Sequence, residues 1–423
     1  VISVGVSGMG PCVLLTDAEG KPVGPAILYG VDSRAGAQID RLTAELGEQE
    51  ILDRCGSVLT TQAAGPKIAW VREREPAAYA RARRLFMPAS FLAHRLTGAY
   101  VLDHHSASQS TPLYDTAALD WHLPWAEHVA PGLELPALQW PGERAGTVSA
   151  DAARCIPGLV EGTPVITGTI DAWSESISVD ATHPGDLMLM YGTTMFLIAT
   201  TAERTSSRTM WGTVGAFEGT YNLAGGMATS GAITGWLRDL TGAAPYPELL
   251  AEADRSGPGA GGLLMLPYFA GERTPIQDPD ARGVIAGLTL SHGRGDLYRA
   301  ALEATGFGVR HNVEAMRASG ITIERIAAVG GGAQGGLWTS IVSDITGLEQ
   351  IVPTHTVGAS LGAAMLAARL VEDVDTAAWN PPRETLRPEP SRRDLYDELY
   401  ARYRELYTST ADAVHMLAGI QAG

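Results

Sequence analysis

The chain has 423 residues, 45% hydrophobic and 18% charged, with a formal net charge of −16. That length holds two or three domains with full cores. The charge argues against a nucleic-acid or anionic-membrane surface, because both need basic patches.

The opening residues, VISVGVSG, are apolar on both faces and read as an interior strand, with no basic leader of the signal-peptide kind. CVLLTDAEGKPVGPAILY reads as two strands around an Asp-Ala-Glu-Gly turn. Residues 35–54 and 66–84 have helical periodicity, and FMPASFLAHRLTG is a further helix stopped by Gly98. Residues 100–160 are rich in Pro, Trp and loop residues and read as an insertion. A strand over 164–169 closes this region, and a helix over 173–181 follows. DLMLMYGTTMFLIATT reads as a hairpin of two apolar strands around YGTT. YNLAGGMATSGAITGWLRDLTG is a strand, a glycine turn and a helix. Residues 295–319 make one long helix, and IERIAAVGGGAQGGLWTSIVSDITG is a strand, a glycine turn and a helix. A short strand QIVPT, a helix over 357–370 and a terminal helix over 391–418 complete the chain. In the last, Tyr396, Tyr400, Tyr403 and Tyr407 recur near helical spacing, a packing stripe rather than a chemical one. ISVGVSG and IAAVGGGA resemble each other, which predicts two related α/β domains with a boundary near Asp171 and a cleft beside it.

Three segments carry chemistry. PVITGTIDAW sets Asp171 at a strand-to-helix junction, where ligands sit in open α/β sheets; a helix N-cap is the competing role. In YGTT, residues Gly192, Thr193 and Thr194 can form a nest of N–H groups that holds an anion without lysine, although an ordinary hairpin is the plainer alternative. That matters because lysine occurs only as Lys21 and Lys67. GGGAQG, residues 330–335, matches G-x-G-x-x-G, but the next strand tip offers His355 and Thr356 where a dinucleotide site needs an acid. The loop can still take a nucleotide at a helix N-terminus, or serve close helix–strand packing. No Walker A loop and no G-x-S-x-G elbow occurs. His94, His104 and His105 lack the partners of a metal site and read as surface loop. Cys12, Cys55 and Cys155 are odd in number and widely spaced, which suits a reducing cytoplasm, and no apolar run reaches membrane-span length.

Taken in order, these segments resemble the FGGY carbohydrate kinases of the sugar kinase/actin/heat-shock ATPase superfamily. The carriers are AILYGVDSR, GTIDAW, LMLMYGTTMF, LPYFAGERTPIQDPDARGVIAGLTLSH, LEATGFGVRHNVEAM, VGGGAQGGLWTSIVSDITG and VGASLGAAMLAA. The resemblance implies two RNase-H-like (actin-like ATPase) α/β domains: an incomplete sugar-binding domain over 1–171 and a nucleotide-binding domain over 172–380. A helical segment over 381–423 follows. It implies Asp171 as the base that takes a proton from the attacking sugar hydroxyl. It places Gly192, Thr193 and Thr194 at the transferring phosphate, and Gly331, Gly332, Ala333 and Gln334 at the adenosine. Asp32 and Arg34 fall on the sugar side; by themselves they read as a surface ion pair. ATP and water-bridged Mg²⁺ are implied, with no metal ligand assigned. The expected partner is a small sugar or polyol, with xylulose foremost, and the expected assembly a homodimer. Where xylulokinases carry Gln-Met-His, this chain has Met9, Gly10 and Pro11, which predicts a less polar sugar pocket. The family's D-x-G-[ST] phosphate hairpin is not in the sequence, so the chain is expected to be N-terminally shortened and to turn over little ATP alone. A sugar- or nucleotide-binding pseudokinase is the alternative.

Overall fold

The structure is a computed structural model and describes residues 1–422. The chain divides into two units, each assembled from separate stretches. The first comprises Val1–Pro184, Thr200–Leu223 and Val357–Asn380; the second comprises Gly185–Ala199, Ala224–Thr356 and the residues from Pro381 onward. The first break therefore falls at Pro184/Gly185 rather than at Asp171, and the helix that Asp171 begins belongs wholly to the first unit. Residues 357–380, expected with the nucleotide half, also belong to the first unit.

In the first unit the N-terminal residues differ from the expected buried strand. Only Ser7–Gly8 forms a ladder, parallel to Thr169–Ile170, with a single bridge from Val4 to Val165. Val1 and Ile2 are 79% and 69% exposed, and only Val6 is buried. Apolar character made this segment look interior; the packing that holds it is instead local and built on a small residue. A Cβ on Gly5 would stand 2.2 Å from the Ala363 carbonyl oxygen, so this stretch lies directly on the helix Ala359–Ala368.

The Asp-Ala-Glu-Gly turn forms as expected: the Asp17 carboxylate accepts from the Glu19 and Lys21 N–H groups at 3.1 and 2.8 Å. The strand before it, Leu14–Thr16, pairs antiparallel with Arg84–Phe86, while the return strand contributes only isolated bridges. Residues 35–54 are two helices, Gly36–Leu46 and Glu48–Cys55. Residues 66–84 are Ala64–Arg74 and Pro76–Tyr79, broken by Pro76. Leu42, Ile51, Ile68 and Leu85 from these elements form the core, each fully buried. Pro88–Thr97 starts on Pro88 and stops at Gly98 with φ +81°. The 100–160 stretch is not a loose insertion: Leu102, Tyr114 and Val129 are buried in the same core. His105 is buried rather than in a surface loop; it donates from Nδ1 to the Val214 carbonyl at 2.8 Å and stacks on Trp173 at 3.7 Å.

In the second unit Asp186–Tyr191 is the hub. It pairs antiparallel with Met195–Thr201 and parallel with Arg325–Val329. Beyond Arg325–Val329 follow Glu349–Pro353, parallel, and Pro382–Leu386, antiparallel. Apolar residues of Asp186–Tyr191 are buried along almost its whole length, as a central strand requires. The long helix Arg294–Ala318 packs against the terminal helix Arg393–Ala422 through Phe307, whose ring lies 5.4–6.2 Å from those of Tyr396, Tyr400 and Tyr403. The tyrosine stripe packs through its rings, and each hydroxyl finds a partner: Tyr396 donates to Glu303, Tyr400 to Glu314 and Tyr407 to Asp278, while Tyr403 meets the Tyr268 hydroxyl at 2.7 Å.

Candidate active site

Within the first unit, the strand Thr169–Ile170 hands directly to the helix Asp171–Ser178, so Asp171 is the first helical residue and Ile170 takes the cap position. Its Oδ1 accepts from the Ala172 N–H at 2.8 Å. A carboxylate suits a helix N-terminus, but burial raises the Asp171 carboxyl above the usual range against that bond. Glu175, one turn on, is raised by burial and then by the Asp171 charge. The pair was readable from helical spacing, yet only Asp171 attracted notice in the sequence.

The helix is held very close to its neighbour. A Cβ on Gly362 would fall 1.7 Å from the Ser174 carbonyl oxygen, so Ala359–Ala368 touches Asp171–Ser178 backbone to backbone. Ser7 adds a tie, donating from its Oγ to the Thr169 carbonyl at 3.1 Å and to Ser174 Oγ at 2.9 Å.

Met9, 43% exposed, and Gly10 lie next to this junction: a Cβ on Gly10 would meet the Ile170 side chain at 2.6 Å. Pro11 is buried. The following residue, Cys12, is raised by burial and feels the charges of both Lys67 and Asp171. Lys67 donates to the Leu28 carbonyl at 2.7 Å and is 1% exposed; burial lowers its pKa to about 8, with Asp32 opposing. Asp32 and Arg34 form a forked pair, with Arg34 Nε 2.9 and 3.0 Å from the two carboxylate oxygens and Nη2 at 2.8 Å. That guanidinium holds Asp32 below the usual carboxylate range and lies over the Trp70 ring at 4.8 Å. Gly10 lies against Ile170, Cys12 feels the charges of Lys67 and Asp171, and Lys67 feels those of Asp32 and Arg34. Composition had singled out Lys67 as scarce without showing that it is buried.

Within the second unit a cavity of 520 Å³ is lined by Gly192, Thr193, Gly331, Gly332 and Gln334 together with Tyr191, Tyr246, Tyr298 and Trp338. Both glycine loops therefore reach one cavity. Thr194 is exposed beside it, and Ala333 is buried beneath, its N–H bonded to the Gly330 carbonyl at 3.2 Å. The glycines are there for close approach. A Cβ on Gly332 would strike the Trp338 ring at 2.7 Å, whereas at Gly331 nothing lies within 4 Å, leaving open space for a ligand. Trp338 and Tyr191 meet edge to face at 5.2 Å and are anchored by Thr305 and Gln350 at 2.8 and 2.7 Å. Gln334 accepts from Arg383 at 2.6 Å. The aromatic walls were missed in the sequence because their facing depends on the Gly332 contact. A cavity of this size, aromatic on its walls and lined by glycine backbone, fits a nucleoside phosphate. Among the described residues no group of three His, Cys, Asp or Glu side chains is placed to hold a metal.

Comparison with known proteins divides the chain in linear order, placing 200–223 and 357–371 with the second part. Residues 1–177 match the N-terminal domain, and residues 187–371 the C-terminal domain, of the FGGY family of carbohydrate kinases. A xylulose kinase of Escherichia coli (strain K12) is 27% identical over 415 residues, covering 96% of this chain and 84% of its own. A glycerol kinase of Saccharopolyspora erythraea is 31% identical over 446 residues, covering 98% and 85%. The crystal structure of xylulose kinase from Rhodospirillum rubrum superposes with a TM-score of 0.90 at 30% identity, covering 98% of this chain and 85% of that one.

Proposed function

Because the chain belongs to the FGGY family of carbohydrate kinases, and so is an ATP-dependent kinase of a small sugar or polyol, we propose that its substrate is a ketopentose, xylulose foremost. The observation that carries this reading is the half-buried Asp171 at its strand-to-helix junction, beside Met9 and Gly10. ATP supplies the phosphoryl group, which passes to a sugar hydroxyl as the bond to ADP breaks, and Mg²⁺ would supply charge neutralisation at the phosphates. Asp171 receives the proton of that hydroxyl on its carboxylate; a raised pKa improves it as a base so long as it stays ionised at working pH. In the Gly192–Thr194 turn the Gly192 N–H closes the hairpin on the Thr194 carbonyl at 3.2 Å, and the Thr193 and Thr194 N–H groups and hydroxyls bind and orient the phosphate end. Gly331, Gly332, Ala333 and Gln334 seat the adenosine, with Trp338 as a wall. Asp32 and Arg34, already locked to each other, offer the sugar their remaining edges as a fixed polar unit. Met9, Gly10 and Pro11 supply few hydrogen bonds to sugar hydroxyls, and a site that bonds no hydroxyl cannot strongly demand one. Three free thiols, two of them buried, accord with a cytoplasmic setting, and a homodimer is the proposed assembly.

With the family's D-x-G-[ST] hairpin supplied ahead of residue 1, a coupled ADP-release screen over ketopentoses, polyols, glycerol and sugar acids, paired with calorimetry of each compound, tests the reading. The expected result is ADP release with a ketopentose, and a substrate with fewer or reconfigured hydroxyls used at least as well as D-xylulose. A hundredfold preference for D-xylulose overturns the apolar-pocket inference. Sugar binding with no ADP release from any compound overturns the catalytic reading in favour of a binding protein.

A further inference from the structure

The run Gly271–Pro275, GERTP, takes no direct part in the site as built, yet three of its side chains grip one stretch of backbone. Thr274 Oγ1 accepts from the Gly226 N–H at 2.7 Å and donates to Asn312 Oδ1 at 2.7 Å. Arg273 Nη2 donates to the Met227 carbonyl at 2.8 Å. Glu272 Oε1 accepts from the Ala228 N–H at 2.7 Å and from the Arg273 N–H at 2.8 Å, and the residue is 5% exposed. The gripped stretch is the end of the strand Tyr221–Met227 and the start of the turn into the helix Gly231–Leu240.

The far side of that turn meets the phosphate hairpin. Ser230 and Ala232 donate their N–H groups to the Thr193 carbonyl, each at 3.1 Å, and Gly231 donates to the Gly192 carbonyl at 3.0 Å. The approach is as close as backbone allows, since a Cβ on Gly231 would stand 2.6 Å from that oxygen. Three consecutive donors therefore fix two consecutive peptide planes of the hairpin tip, and the direction of a peptide N–H follows from its plane. The turn itself is fixed at Ala228 by Glu272. A buried carboxyl is a costly way to satisfy two N–H groups unless the position they define matters.

We propose that Glu272 is a positioning residue for phosphoryl transfer: by fixing Ala228 it holds the turn that aims the Gly192–Thr194 hairpin at the phosphate. The proposal rests on the assignment of that hairpin to phosphate.

The test compares Glu272→Ala, Glu272→Gln and Thr274→Val. Calorimetry measures adenosine and a non-hydrolysable imido analogue of ATP, and steady-state assays give kcat and the KM for ATP and for sugar. Glu272→Ala is expected to lose at least tenfold in analogue affinity and in kcat, with adenosine affinity and sugar KM within threefold of wild type. Glu272→Gln keeps an oxygen acceptor and should recover most of the loss. Thr274→Val lowers the unfolding midpoint without separating the two ligands. Equal losses for adenosine and analogue in Glu272→Ala, or wild-type analogue affinity in that variant, overturn the proposal. The double variant Thr193→Ala/Thr194→Pro, which removes both hydroxyls and one hairpin N–H, separates the two ideas. If analogue binding and kcat are unchanged there, the phosphate assignment falls and takes the proposal with it. A loss there with an intact Glu272→Ala removes only the role of Glu272.

Discussion

Replacing Gly362 by alanine sets two effects against each other. In an exposed helix interior the change favours folding by about 1 kcal/mol, because glycine wastes backbone entropy. Here the added Cβ would sit 1.7 Å from the Ser174 carbonyl oxygen, where real Cβ atoms come no nearer than 3.0 Å, so the two helices must part by about 1.3 Å. Overpacking of this kind costs about 1–3 kcal/mol, and the top of the range applies because the obstacle is backbone and cannot rotate away. The net is about 2 kcal/mol of destabilisation, a fall of roughly 4–8 °C in Tm for a domain of this size. Asp171 rides on the displaced helix, and a shift of about 1 Å in a reacting group costs about 10²-fold in rate. Calorimetric unfolding and a coupled ADP assay read both numbers. Gly419→Ala is the control: it lies in the helix Arg393–Ala422 with nothing within 4 Å of the added Cβ, and should hold or raise Tm at unchanged rate. A Gly362→Ala protein with Tm at or above wild type and kcat within threefold would refute the reasoning.

Asp171→Asn should lower kcat by about 10²–10⁴-fold while calorimetric sugar affinity stays within a few-fold, the loss typical of a positioned base; turnover within tenfold of wild type removes Asp171 from that role. The pH profile should follow the same group. The ionised form is the active one and burial raises its pKa, so kcat/KM should fall on acidification with a midpoint above the ordinary Asp value of about 3.9; an acid limb at or below that value contradicts the assignment. Lys67 gives a stability signature. Burial lowers its folded pKa to about 8 from the ordinary lysine value of 10.5, so between those values the unfolded chain holds the extra proton and stability rises with pH. Denaturant unfolding should show wild type gaining about 3 kcal/mol relative to Lys67→Met across that window; parallel curves would mean that Lys67 titrates as a surface lysine does.

The elements nearest the chemistry were legible because each carries its own local signal. YGTT between two apolar runs could only be a tight hairpin, and the register of Tyr191 with Met195 bears that out. The glycine turn after IAAV was equally plain. Contacts set by distant partners were not. Nothing near Asp171 announces that its helix lies on Gly362, almost two hundred positions away, because a glycine inside an apolar helix looks like a weak helix former until the opposing carbonyl is known. VISVGVSG misled for a related reason: apolar composition reports an affinity for burial and not which neighbours provide it, and Val1 and Ile2 remain exposed. His105, without the partners of a metal site, reads as surface loop in sequence, yet Trp173 and the Val214 carbonyl draw it inside, and burial presses its pKa down to about 3.

The first unit is stitched from three stretches, and this governs how the molecule can be made. Gly5 rests on Ala363 and Ser174 on Gly362, so the strand and helix that frame Asp171 have no finished seat until the helix Ala359–Ala368 has left the ribosome. At roughly 5–20 residues per second, the early stretch waits on the order of ten to forty seconds for its last piece. During that interval the second unit's hub strand and long helix emerge, but its edge strand Pro382–Leu386 and the helix Arg393–Ala422 that packs on Phe307 follow Ala359–Ala368 in the chain. Both units therefore close only near the end of synthesis, and the first has all its pieces before the second.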